Sequence, residues 1–177
     1  AGGSGEGAGA SEPLNVLVCE DNAVNRMLLC RTLRSNGVIV KAEAVDGGQA
    51  IAALKDDTFD LVFMDINMPV HNGDEVVRMY RGWELVNRPG THMWICAFTG
   101  NVTEEDRRLC LESGCDDFMS KPLKPQELKN YLERMAEMKA SGKLEAETPL
   151  SPGLISQWSR EEAEINKRRS SDLGGEE

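Results

Sequence analysis

Five short strand-like runs, most of them apolar and each followed by a stretch with helical spacing of its apolar residues, limit the fold of this chain more than any other feature. The runs are Leu14–Cys19, Val38–Ala44, Leu61–Asp65, Met93–Phe98 and Asp116–Met119. Segments this short suit strands rather than core helices. Regular alternation of strand and helix implies a parallel sheet covered by helices on both faces, with right-handed crossovers. Leu61–Asp65 is apolar up to its last residue, as expected of a central strand buried on both faces. In Val38–Ala44, Lys41 and Glu43 alternate with apolar neighbours, which suits a half-exposed edge strand.

The intervening stretches carry their own start and stop signals. Asn22 is placed to cap a first helix that runs to about Asn36, with Gly37 as its stop. Its expected inward face is Asn25, Leu28, Leu29, Thr32 and Leu33, with Asn25 hydrogen-bonding the helix to a loop. Gly47–Asp56 would bury Ala50, Ile51 and Leu54, and Asp74–Val86 would bury Val76, Met79, Tyr80 and Trp83. Thr103 and Asp106 form a capping-box pattern for a helix through Ser113, closed by Gly114. Pro125 opens the last helix, whose face is Leu128, Tyr131, Leu132 and Met135.

Composition narrows the function classes. A net charge of −10 over 177 residues argues against nucleic acid or an anionic membrane as the main partner. No apolar stretch approaches the roughly 20 residues needed to span a bilayer. The N-terminus lacks the basic start and apolar core of a signal peptide. Its first residue is Ala, as expected of a fragment or processed chain. The five cysteines are scattered and form no CxxC pair, so neither a disulfide framework nor a zinc site is expected, and a cytoplasmic location is. The expected organisation is a flexible Gly/Ser/Glu linker over 1–12, one domain over 13–139 and a mostly disordered tail over 140–177. Within that tail, Gln157–Arg169 has helical potential. His71 and His92 have no partners at metal spacing and are expected in loops.

Ligands of open α/β sheets bind outside the carboxyl ends of the strands. Here those ends present Glu20 and Asp21, then Asp65, then Thr99, then Lys121. Three ionised carboxylates at one sheet edge repel and require a cation. Mg2+ prefers carboxylate oxygen and commonly bridges to phosphate. A lysine is a point-charge phosphate binder, a Thr hydroxyl can donate to a phosphoryl oxygen, and an Asp can be the nucleophile. These residues specify phosphoryl transfer onto a carboxylate. Asp65-Ile66-Asn67 begins like a calcium loop, but Pro69 and Val76 break that pattern.

On Val18-Cys19-Glu20-Asp21-Asn22 with Val24-Asn25, Phe63-Met64-Asp65 with Met68-Pro69 and Gly73, Ala97-Phe98-Thr99 and Ser120-Lys121-Pro122, the chain resembles the receiver domain of two-component signalling. The Glu-Asp-Asn-x-Val-Asn form is similar to receivers attached to hybrid histidine kinases. The resemblance implies a flavodoxin-like, doubly wound (βα)5 three-layer sandwich with strand order 2-1-3-4-5. It implies that Asp65 accepts phosphate from a phosphohistidine, that Asp21 binds Mg2+ (or Mn2+) directly and Glu20 through water, and that the Asn67 carbonyl is a further ligand. It implies that Thr99 and Lys121 hold the phosphoryl oxygens and that Phe118 turns inward when Thr99 moves. Asn67 and Asn101 occupy the positions that tune phosphate lifetime, and Gly100, where the family usually has Ala, would open access. Implied partners are a kinase dimerisation helix pair or a histidine phosphotransfer protein, for a monomer or weak dimer. A stand-alone regulator without DNA-binding output, an Asp-nucleophile phosphatase and a binding-only pseudo-receiver are the alternatives. A phosphatase of this type places an acid where Asn67 stands.

Overall fold

The computed structural model describes residues 12–100, 103–144 and 160. Ten elements follow in strict alternation: β1 (Asn15–Cys19), α1 (Ala23–Ser35), β2 (Ile39–Ala44), α2 (Gly47–Asp56), β3 (Leu61–Asp65), α3 (Gly73–Asn87), β4 (Ile95–Thr99), α4 (Glu104–Ser113), β5 (Asp117–Ser120) and α5 (Pro125–Ala140). The five strands form one sheet in the order β2-β1-β3-β4-β5, and every pairing is parallel. This is the flavodoxin-like topology expected. The two tail expectations, a flexible 1–12 linker and a helix at 157–169, lie outside the described residues apart from Glu12 and Arg160.

Side-chain alternation divides the core into two layers. Leu17, Cys19, Val62, Met64, Ile95 and Ala97 face α2 and α3. Val16, Val18, Leu61, Phe63, Cys96 and Phe98 face α1 and α5. Sheet strands buried on both faces explain why β1, β3 and β4 read as unbroken apolar runs. The edge strand β2 departs from regular pairing. Val40 is opposite Val16 but Ala42 is opposite Leu17, so Lys41 is the extra residue of a bulge. A bulge and a lysine on an edge both discourage pairing with another chain.

The helix signals mostly hold. The Asn22 side chain accepts from the Val24 and Asn25 amides, Thr103 and Asp106 form a capping box, and Gly114 ends α4 in the left-handed region. All four residues expected on the inner face of α5 are buried. The α1 face needs correction. Leu29, Cys30 and Leu33 are buried, whereas Asn25 is exposed and Leu28 is 52% exposed. Val24, Met27 and Leu28 give this helix a second apolar stripe, so periodicity alone allowed two rotations. The α3 stripe also proved incomplete: Arg81 and Glu84 are buried beside Val76, Met79 and Tyr80, and Trp83 stacks on Tyr80 with ring centroids 5.9 Å apart.

Arg81 shows why a charged residue can occupy a core position. Its Nε donates to Gly114 O at 3.0 Å, its Nη1 to Glu84 Oε2 at 2.6 Å, and its Nη2 to Met93 O at 2.8 Å and Asp116 Oδ2 at 2.9 Å. Glu84 and Asp116 in turn accept from the amides of Met93 and Ile95. His92 is a loop residue, as expected, but it is buried, with Nε2 2.5 Å from Asp116 Oδ1. This network joins α3 to the amino ends of β4 and β5, the edge of the sheet opposite Asp65. Trp94 ties the same end of β4 to α5, donating to the Tyr131 hydroxyl at 3.1 Å.

Candidate phosphoacceptor site

The sheet delivers Asp65 to the middle of its carboxyl edge. Asp65 is the last residue of β3, opposite Phe98 of β4, and is 2% exposed. Its Oδ1 accepts the Asn67 amide at 3.0 Å. The chain then turns back over it. Gly73, the first residue of α3, passes so close that a Cβ there would lie 2.1 Å from the Asp65 carbonyl oxygen, and only glycine fits. Val70, in the same loop, has φ of 72°, a left-handed conformation that is costly for a β-branched residue.

Glu20 and Asp21 arrive from the end of β1. Ligand oxygens of Glu20, Asp21 and Asp65 all lie within 4.8 Å of one another. Lys121 follows β5, its amide donating to Thr99 O at 2.7 Å. Its Nζ lies 2.7 Å from Asp65 Oδ2, 2.6 Å from Glu20 Oε2 and 5.0 Å from the centre of the Phe98 ring. One ammonium therefore pairs with two of the three acids. Burial pushes the Glu20 carboxyl above its ordinary range, and the hydrogen bond from Lys121 opposes that shift only in part. Burial alone would lower Lys121, but its hydrogen bonds to Asp65 and Glu20 outweigh it and hold the amine above its usual value.

The donor set fits a hard divalent cation. Glu20 Oε2 is buried and shares the Lys121 ammonium, 2.6 Å away, with Asp65 Oδ2. A buried carboxylate oxygen left in this way calls for a further positive partner. Asp21, exposed at the same edge, leaves one side open to water and phosphate, as Mg2+ prefers.

The other expected residues lie around this centre. Thr99 is buried at the end of β4, paired with Ser120 of β5. Phe118 is partly buried on β5 and lines a groove of about 540 Å³ with Arg107, Tyr131 and Arg134. Gly100 is exposed, and among the described residues beyond its chain neighbours no atom lies within 4 Å of where a Cβ would stand. Asn101 lies outside the described residues. Asn25, expected to tie α1 to a loop, instead lines an apolar groove of about 480 Å³ with Leu28, Phe98, Lys121 and Leu123. Two contributions escaped the sequence reading: the Phe98 ring under the Lys121 amine, where the sequence marks Phe98 only as part of the Ala97-Phe98-Thr99 motif, and Arg26, which bonds the carbonyls of Glu20 and Asp21. Arg26 sits one residue past a polar position on a helix, which is not a signal that periodicity can isolate.

A five-stranded parallel sheet whose carboxyl edge gathers an acidic triad and one lysine is the architecture of phosphoacceptor signalling domains. The chain belongs to the response regulator receiver domain family, which matches residues 16–133. It is 36% identical over 120 residues to the sensor histidine kinase GacS of Pseudomonas protegens, covering 67% of this chain and 13% of that one. It is 36% identical over 123 residues to hybrid signal transduction histidine kinase L of Dictyostelium discoideum, covering 67% and 7%. The chain thus spans about a tenth of the length of these relatives. Among solved structures, the receiver domain of the sensor histidine kinase PA1611 from Pseudomonas aeruginosa, with magnesium in its active-site cleft, is similar at 31% identity. Its TM-score is 0.61, over 71% of this chain and 99% of that one. The receiver domain of Saccharomyces cerevisiae Ssk1, solved with the histidine phosphotransfer protein Ypd1, is similar at 30% identity and a TM-score of 0.67, over 74% and 94%.

Proposed function

We propose that this chain is a Mg2+-dependent phosphoacceptor in a phosphorelay, in which Asp65 takes a phosphoryl group from a phosphohistidine. The observation that carries this reading is Lys121 Nζ held 2.7 Å from Asp65 Oδ2 and 2.6 Å from Glu20 Oε2, at the edge that also bears Asp21. A bound Mg2+, or Mn2+ in its place, would be held by Asp21 and Asp65, by Glu20 through water and by the Asn67 carbonyl, and would neutralise charge on the phosphoryl oxygens. One Asp65 oxygen attacks phosphorus, the phosphorus–nitrogen bond breaks, and the departing imidazole keeps the electron pair. Lys121 takes up a phosphoryl oxygen, and the Thr99 hydroxyl donates to another.

The new group adds roughly −1.5 to −2 charge. Thr99 and Lys121 are drawn toward it, Phe118 turns into the space left, and α4 and β5 repack; two states a few kcal/mol apart suffice. Asn67 and Asn101 set how long the phosphate lasts, and Gly100 eases access. The domain over 13–139 belongs to a cytoplasmic part of a hybrid histidine kinase and catalyses its own phosphorylation and dephosphorylation. Its partner is a kinase dimerisation helix pair or a histidine phosphotransfer protein. The exposed Val24, Met27 and Leu28 of α1 and the groove beside Lys121 offer that partner an apolar seat next to the acceptor.

Incubation with a small acyl phosphate and Mg2+, followed by intact mass measurement, tests the reading. One phosphate is expected on the wild-type chain and none on Asp65→Asn or after chelation. Equal phosphate uptake by Asp65→Asn would refute the assignment. Sustained hydrolysis of a phosphate ester would favour the phosphatase instead.

A further inference from the structure

Two of the three carboxylates sit on the loop between β1 and α1, and that loop is held from outside. The Glu20 amide donates to Ala44 O of β2 at 3.0 Å. The loop carbonyls are gathered by Arg26, whose Nη1 donates to Glu20 O at 3.0 Å and lies 3.4 Å from Asp21 O. The opposite edge of that guanidinium meets β2, with Nε 3.3 Å from Glu43 Oε2. Glu43 is itself fixed, its Oε1 accepting from Arg34 Nη2 at 3.3 Å. The Arg26 side chain is only 19% exposed, so it is packed between the loop and the edge strand rather than free in solvent.

We propose that Arg26, oriented by Glu43, is a positioning residue that sets how tightly the acidic cluster binds its divalent cation; this rests on the cation-site reading above. Converging carboxylates repel one another. With no cation bound, the loop bearing Glu20 and Asp21 could relieve that repulsion by moving away from Asp65. Arg26 prevents this by clamping both backbone carbonyls through one nitrogen, while the rigid plane of the guanidinium keeps its Nε on Glu43. The cage is then formed before the cation arrives, and binding loses less to loop ordering. Lysine has no such fork and can hold only part of this arrangement.

Isothermal titration of Mg2+ into the full chain tests the proposal, with the unfolding temperature of each cation-free variant recorded beside it. Arg26→Met is expected to weaken binding by about tenfold, within the range seen when outer supports of a metal site are removed. Arg26→Lys should recover part of the loss, and Glu43→Gln should fall between. A merely structural role would lower the cation-free unfolding temperature and leave affinity unchanged. Affinities of Arg26→Met and Glu43→Gln equal to wild type would overturn the proposal. If Arg26→Met does not fold, an unchanged affinity in Glu43→Gln overturns it alone. A wild-type chain that binds no Mg2+ would instead remove the cation-site reading beneath it.

Discussion

Lys121 shows how far one side chain sets the character of the site. Removing its ammonium leaves Asp65 and Glu20 facing each other across a buried edge. Lys121→Met is expected to lose about 1–3 kcal/mol of stability at pH 7 without Mg2+, less than a fully buried pair because the lysine is partly exposed. The amine is held above its ordinary pKa. Its contribution is therefore fully present below the usual lysine value and is lost as pH rises through the higher folded value. Urea titrations of both proteins should show a constant difference from about pH 7 to about pH 10 that shrinks above it, and shrinks again in acid as Glu20 and Asp65 take up protons. Gly73→Ala puts a methyl into the Asp65 carbonyl and should cost about 1–3 kcal/mol while displacing Asp65, the proposed acceptor, checked by urea denaturation and phosphate uptake. Val70→Gly releases the left-handed strain and should raise stability by about 1 kcal/mol in the same assay. The buried thiols behave oppositely to reactive ones: burial pushes Cys30 and Cys110 to about 11 and Cys115 to about 12.

At the scale of elements, the far end of the sheet is held by charge as well as by apolar packing. Arg81 anchors α3 to the starts of β4 and β5 through Glu84, Asp116 and four backbone groups, Gly114 O, Met93 O, Met93 N and Ile95 N. Arg81→Met would leave two buried carboxylates without their cation and should cost about 3–5 kcal/mol, measured by thermal and urea unfolding. This network was not legible beforehand. Arg81 and Glu84 are charged positions on an amphipathic helix, and pattern assigns such residues to solvent. Only the meeting of α3 with Gly114 and Asp116, distant in the chain, made their burial tolerable. The α1 face failed for a related reason: two apolar stripes were available, and packing on the sheet selected the rotation that buries Leu29, Cys30 and Leu33.

For the molecule as a whole, α5 and the residues after it close the domain. Lys139 reaches Asp60 Oδ2 at 2.9 Å and Pro13 O at 3.1 Å, and Leu144 is buried in the α1–α5 layer. A chain ending at 139 should therefore unfold at a lower temperature than one ending at 144, as calorimetry can check. Burying Leu144 contributes on the order of 2 kcal/mol. The strand–helix alternation, most of the caps, the inner face of α5 and the residues lining the carboxyl edge were all readable in order along the chain, because hydrophobic period and turn chemistry are local. The packing of the edge was not. That Glu20, Asp21 and Asp65 converge within 4.8 Å, with Lys121 bridging Glu20 and Asp65, depends on the order in which the strands lie side by side. The chain by itself determined which chemical groups stand at the strand ends. Only the tertiary structure decided which of them touch, that Arg81 is buried at the other end of the sheet, and which face of α1 stays exposed, because those outcomes depend on contacts between residues far apart in sequence.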